Sequence, residues 1–219
     1  MRRLCLLGLA GCLLTAAAAP PFDVTRLLKT IENRYNGAAT MRMNFSESYT
    51  FQNRPRPAEW GVLSLKKPGK MRWVYQKPAG KLFVSDGKDV YYYSSQANRV
   101  EKLRLKEADD MRAPLAFLLG KLDFSRDFGK YTWREEGDAV WISCDPKNPS
   151  RSPFAEISFK AVKADGRILR LRVVGQDHSI LEFEFESETL NPPLTDGFFL
   201  FQIPPGAEYV DLSANPAKN

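Results

Sequence analysis

The chain is poor in almost everything that binds metals or performs covalent chemistry. It has one histidine, His178, and 3 cysteines. Two of these, Cys5 and Cys12, fall in the first dozen residues, so Cys144 stands alone in the remainder. A lone thiol cannot staple a fold, and it packs as a small hydrophobe, so the core must hold itself together. No Cys/His cluster has metal-ligand spacing, no G-x-x-x-x-G-K-[ST] loop is present to cradle phosphate, and no G-x-S-x-G turn precedes a helix. Asp177-His178-Ser179 cannot supply a hydrolytic triad from adjacent positions on alternating faces, so His178 reads as an exposed loop residue. The acidic pairs Asp109-Asp110 and Glu135-Glu136 sit in polar stretches and read as solvated turns. The expectation is a protein without catalytic residues, metal or cofactor, and therefore not an enzyme. Long apolar runs are also missing after the first twenty residues, so nothing there spans a membrane as a helix.

The N-terminus is built as a secretion signal. Arg2 and Arg3 give a positive start, Leu4 to Leu14 an apolar run too short for a bilayer, and Ala16-Ala17-Ala18 a small-residue exit. Pro20 favours cleavage after Ala18, leaving residues 19–219 as the mature domain. Leu9-Ala10-Gly11-Cys12 also has the form of a bacterial lipobox, in which Cys12 would carry a lipid anchor. The 32 basic and 26 acidic residues give a net charge of +6. Loss of Arg2 and Arg3 lowers it to +4 (32 less 2, against 26). With no dense basic run, nucleic acid is not an expected partner.

What the chain does have is alternation. Asp23 is a good N-cap for a helix over residues 22–36, in which Val24, Leu27, Leu28, Ile31 and Tyr35 recur at helical spacing. From Ala39 the period changes to two, with Met41, Met43 and Phe45 on one face. Gly61 to Ser94 then reads GVLSLKKPGKMRWVYQKPAGKLFVSDGKDVYYYS: four short strands punctuated by KKPGK, QKPAG and SDGK. Leu63 and Leu65 share one side, as do Met71, Trp73 and Tyr75. Further strand patterns follow at 99–105, 131–133, 139–144, 154–162, 167–174, 180–188 and 198–203. The apolar stretch 113–120 begins at a proline and stops at a glycine, as a short helix does, and 122–128 continues in a looser helical pattern. The fold class expected is mainly β (α+β): one domain, with ten or eleven antiparallel strands and two or three short helices. Alternation alone leaves the apolar face open to two readings, an ordinary core or the wall of a hollow.

Three blocks carry a resemblance: G-V-L-S-L-K-K-P-G-K-M-R-W, then K-L-F-V-S-D-G-K-D-V-Y-Y-Y-S, then A-P-L-A-F-L-L-G. In phase and order they resemble the periplasmic outer-membrane lipoprotein carrier family, LolA. The likeness runs from the first helix to Phe201-Gln202-Ile203-Pro204-Pro205-Gly206, which is similar to the family's closing strand. It implies a curved, unclosed antiparallel β-barrel with a helical lid over an apolar cavity. It also implies a monomeric periplasmic chaperone that takes acylated lipoproteins from an inner-membrane ABC-type lipoprotein-releasing complex to an outer-membrane acceptor. Combined with face alternation, it puts Met43, Phe45, Leu63, Leu65, Trp73, Tyr75, Phe83, Leu115 and Leu118 on the lipid-binding wall. In relatives, an arginine before the proline of the K-x-P turn latches the lid. Lys67 stands there and lacks the planar fork, so a latch of that design should be weaker. Two alternatives remain: a Cys12-anchored lipoprotein acceptor or envelope sensor resembling LolB, and a lipid esterase.

Overall fold

The structure, a computed structural model, describes residues 22–105, 122–152 and 154–214. The N-terminal helix is α1, Val24–Gly37. The Asp23 side chain accepts a hydrogen bond from the Arg26 amide at 3.0 Å, satisfying one of the donors that every helix start leaves unpaired. Val24, Leu27, Leu28, Ile31 and Tyr35 form its buried stripe.

The alternating segments become strands: β1 Thr40–Phe51, β2 Arg54–Pro55, β3 Glu59–Lys66, β4 Lys70–Lys77, β5 Lys81–Asp86, β6 Asp89–Ser94 and β7 Arg99–Arg104. A single-turn helix, α2 (Phe124–Asp127), precedes β8 Phe128–Glu136, β9 Ala139–Pro146, β10 Phe154–Val162, β11 Ile168–Gly175, β12 Ile180–Leu190 and β13 Glu208–Asp211. The sheet has 13 strands in the order β13-β7-β6-β5-β4-β3-β1-β12-β11-β10-β9-β8, with β2 folded onto β1. It is mainly β and does not close, because β8 and β13 stand at opposite edges. The two-residue β2 and the terminal β13 account for strands beyond the number expected.

β1 is the seam. It pairs antiparallel with β3 on one side and with β12 on the other, so a local meander of hairpins leaves it in each direction. Register then lines side chains up in rows across strands, since directly paired residues share a face. One row runs Met41–Leu65–Met71–Ser85–Val90, and the next runs Met43–Leu63–Trp73–Phe83–Tyr92. Both rows face α1's side, where the main apolar core lies.

The C-terminal segment differs from expectation. Residues 198–203 make no strand: Asp196–Phe199 is a 3-10 turn and the chain then continues extended. It crosses the outer face of the sheet, where Phe199 is fully buried and Phe201 stacks on Tyr91 at 5.1 Å. Val84 and Val100, which point outward, are also fully buried and lie outside the main core. The chain reaches β7 only at β13, and there the pairing is parallel. Asp196 anchors this ribbon with Oδ1 2.8 Å from Lys66 Nζ and 2.9 Å from Lys70 Nζ. Hydrogen bonds from both ammonium groups hold its carboxyl at about 2.

This packing is open to test at two residues. A Cβ at Gly61 would lie 2.0 Å from the Val74 carbonyl oxygen, beside the bulge between β3 and β4. Gly61→Ala should therefore destabilise the fold by about 1–3 kcal/mol through overpacking, read as a lower urea midpoint; an unchanged midpoint would show that the strands part freely. Asp196 has a depressed folded pKa, so its stabilisation is present above the ordinary value of 3.8 and is lost as pH falls through about 2. Stability curves of wild type and Asp196→Asn should converge over that window. A gap independent of pH would rule out the ion pairs as its source.

Candidate functional site

The seven described residues of the expected wall fall where alternation put them, on one face. Met43, Phe45, Leu63, Leu65, Trp73, Tyr75 and Phe83 are all buried, none more than 5% exposed. Leu115 and Leu118 lie outside the described residues. Several of the seven touch one another. Phe45 sets its edge against Trp73 at 4.7 Å and against Tyr75 at 5.1 Å, the geometry that aromatic quadrupoles favour. Trp73 lies 5.7 Å from Phe183, and Phe183 stacks on Phe185 at 5.8 Å. These contacts make this part of the face a packed core. A cavity of about 310 Å³ is present elsewhere, lined by Ser46, Ser48, Trp141, Arg170 and Glu182 among others on the outer side.

Phe183 and Phe185 belong to this apolar cluster, yet sequence reasoning left them out. Their strand was evident from the unbroken alternation of 181–186. What was not evident is that β12 lies beside β1, which puts Phe185 opposite Phe45.

Helix α1 covers the face, and polar contacts at its C-terminal half hold it there. Arg34 Nε donates to Glu188 Oε1 at 3.0 Å, and the Tyr35 hydroxyl donates to Glu188 Oε2 at 2.7 Å. The same hydroxyl accepts from the Ile168 amide at 2.9 Å. Burial, reinforced by the Glu188 carboxylate, pushes the Tyr35 phenol well above its ordinary range. Asn36 grips the Leu122 backbone with both ends of its amide, each at 2.8 Å. Glu32 accepts from the Phe124 amide at 2.8 Å and pairs with Lys29 at 2.7 Å.

Lys67 completes the set. Its ammonium donates to the Tyr35 carbonyl at 2.5 Å and, at the long limit of 3.5 Å, to the Asn36 carbonyl. Both carbonyls lie in the last turn of the helix, where that of Tyr35 also accepts from the Ala38 amide at 3.4 Å, and a cation there opposes the negative end of the helix dipole. Burial lowers the Lys67 pKa from its ordinary value.

His178 sits in the turn between β11 and β12, exposed and in the left-handed region at φ 63. Its neighbour Asp177 is engaged locally, accepting the Ser179 amide at 3.0 Å.

The profile of the family described as "Outer membrane lipoprotein carrier protein LolA" matches residues 36–202. The chain belongs to the LolA family. A protein named outer-membrane lipoprotein carrier protein from Nitrosomonas europaea is 32% identical over 212 residues, covering 95% of this chain and 98% of that one. A protein of the same name from Chromobacterium violaceum is 24% identical over 203 residues, covering 92% and 95%. Among solved structures, an uncharacterised conserved protein from Thermus thermophilus superposes with a TM-score of 0.53 at 13% identity, over 85% of this chain and 98% of that one. That likeness concerns the fold alone.

In this LolA-family chain the residue before the first cis proline, Lys67, thus touches the covering helix without a guanidinium fork. A hydrogen bond from a charged donor contributes about 1.5–3 kcal/mol. Lys67→Met should lower stability by roughly that amount and speed amide exchange at Asn36 and Gly37, while Lys67→Arg should keep most of the protection. Equal exchange in wild type and Lys67→Met would show that the cap contributes nothing.

Proposed function

We propose that this protein is a periplasmic carrier that shelters lipoprotein acyl chains between α1 and the inner face of the sheet. It takes acylated lipoproteins from an inner-membrane ABC-type complex and gives them to an outer-membrane acceptor. It performs no chemistry of its own and works as a monomer built on residues 19–219, after a signal peptide comprising residues 1–18. The observation that carries this reading is the pairing of LolA-family membership with an apolar face covered by a helix on polar clamps. Among the described residues no helix is long and apolar enough to cross a membrane.

The energetics favour exchange over simple filling. Each methylene withdrawn from water is worth about 0.8 kcal/mol, so three long acyl chains represent on the order of 30 kcal/mol. No carrier recovers all of that, because affinities saturate near about −20 kcal/mol and cargo must leave again. Where Phe45, Trp73 and Phe183 already touch, entry replaces side-chain contacts with acyl contacts over the same surface. Opening also breaks clamps such as Lys67 to Tyr35 and Asn36 to Leu122. Lys67 acts in this reading as the latch of the lid. Both costs pull net affinity into a range that permits release. Met41, Met43 and Met71 suit the rearrangement, since thioether chains repack with little strain.

Delipidated protein mixed with a pyrene-labelled fatty acid should show saturable uptake, displaced by a synthetic triacylated lipopeptide. Uptake that never saturates, or none, rejects the carrier. The second reading, an anchored acceptor, rests on Leu9-Ala10-Gly11-Cys12, which lies outside the described residues. Mass spectrometry of the mature N-terminus separates the two: a free Ala19 for the carrier, a diacylated Cys12 for the acceptor.

A further inference from the structure

Trp73 stands in the middle of the row Met43–Leu63–Trp73–Phe83–Tyr92 and is only 1% exposed. Its Nε1–H has no hydrogen-bond partner among the described residues. That is unusual, because buried polar groups are nearly always paired and an unpaired one carries its full desolvation penalty. The other polar groups on this face are provided for. The Ser85 hydroxyl donates to the Gly69 carbonyl at 2.9 Å, and the Tyr75 hydroxyl donates to Glu47 at 3.2 Å. Packing alone does not ask for an indole here, since the contacts to Phe45 and Phe183 are made by ring faces and edges that a phenylalanine also offers.

We infer that the Trp73 Nε1–H is a reserved donor for a carbonyl oxygen of the cargo, the acyl ester where a fatty chain joins its glyceryl group. The inference rests on the carrier reading and deepens it. The chemistry narrows the partner. An indole N–H only donates, so the partner is an acceptor. A hydrocarbon tail has none to offer. A phosphate or carboxylate would be an ionised group taken into an apolar interior, and the nearby ammonium on this face, that of Lys81 over the Tyr75 ring at 4.2 Å, is already paired with Glu59, so its burial is strongly unfavourable. A neutral ester carbonyl is the acceptor that an acyl chain brings with it to this depth. Trp73 then acts as a depth gauge, holding the chain where the ester begins and discriminating esterified chains from plain hydrocarbon.

The test compares diacyl ester lipids with their dialkyl ether analogues of equal chain length, which lack only the carbonyls. One pair is an S-diacylglyceryl lipopeptide and its ether counterpart. The other is a short-chain phosphatidylglycerol and its ether counterpart. Wild type should bind the ester form roughly three- to tenfold more tightly, the size of one buried hydrogen bond. Trp73→Phe should bring the ester and ether affinities within about twofold of each other, whatever it does to the binding of either form. The Trp73 indole proton resonance, assigned by its absence in Trp73→Phe, should move downfield with ester ligand and stay with ether ligand. A preference in the lipopeptide pair assigns the carbonyl to lipoprotein cargo, and a preference in the phospholipid pair alone assigns it to phospholipid. If wild type binds ester and ether equally, or Trp73→Phe keeps the preference, the reserved donor is overturned and the carrier reading stands. If no lipid of either pair binds, the carrier reading falls and the donor with it. The wild-type comparison needs no variant, so a poorly folding Trp73→Phe does not leave the question open.

Discussion

An open sheet with one apolar face has to keep that face covered, and the docking of α1 against it governs the rest of the molecule. A closed barrel would cover its interior unaided; this sheet ends at β8 and β13 and does not. The helix therefore approaches closely. A Cβ at Gly166, in the β10–β11 turn, would lie 3.0 Å from the Ile31 amide nitrogen, and Gly166 itself adopts a φ of +70. Glycine serves here both for the left-handed turn and for room against the helix. The same turn delivers the Ile168 amide to the Tyr35 hydroxyl. Burial of the stripe from Val24 to Tyr35 supplies attraction without direction, and the hydrogen bonds around Glu188, Leu122 and Lys67 supply the direction.

The two faces of the sheet do different work. The inner face is apolar and tightly packed. The outer face carries exposed ion pairs such as Arg170–Glu184 at 2.6 Å and Arg172–Glu182 at 3.4 Å. Pairs of that kind contribute little stability, about 0–1 kcal/mol each, but they keep the back of the sheet wetted. The exception lies over β4 to β7, where the C-terminal ribbon buries Phe199.

Much of this was legible residue by residue. The helix 24–37, the hairpin at Asp86-Gly87 and the seven described wall positions all follow from spacing, because side-chain direction in a strand or helix is a local property. His178 in an exposed turn was read from its inability to form a triad with Asp177 and Ser179, and it is exposed. The misreading at 198–203 has a physical source. Phe-Leu-Phe-Gln-Ile alternates like a strand, but the backbone there makes no ladder, and its aromatics are spent on the outside of a sheet whose strands lie about a hundred residues earlier. The expected helix at 113–120 lies outside the described residues.

Phe183 and Phe185 mark the boundary between the two kinds of information. Alternation of period two assigns every side chain of a strand to one of two faces, so composition and spacing were enough for the mainly β class and the greasy surface. Which strand lies beside which is set by contacts between distant residues, whose loop-closure cost leaves no mark on local pattern. The pairing of β1 with β12, the packed state of the wall, the grip of Lys67 on α1 and the unpartnered N–H of Trp73 all arise at that level. Each depends on groups brought together from opposite ends of the chain or from strands whose neighbours no short stretch of residues names.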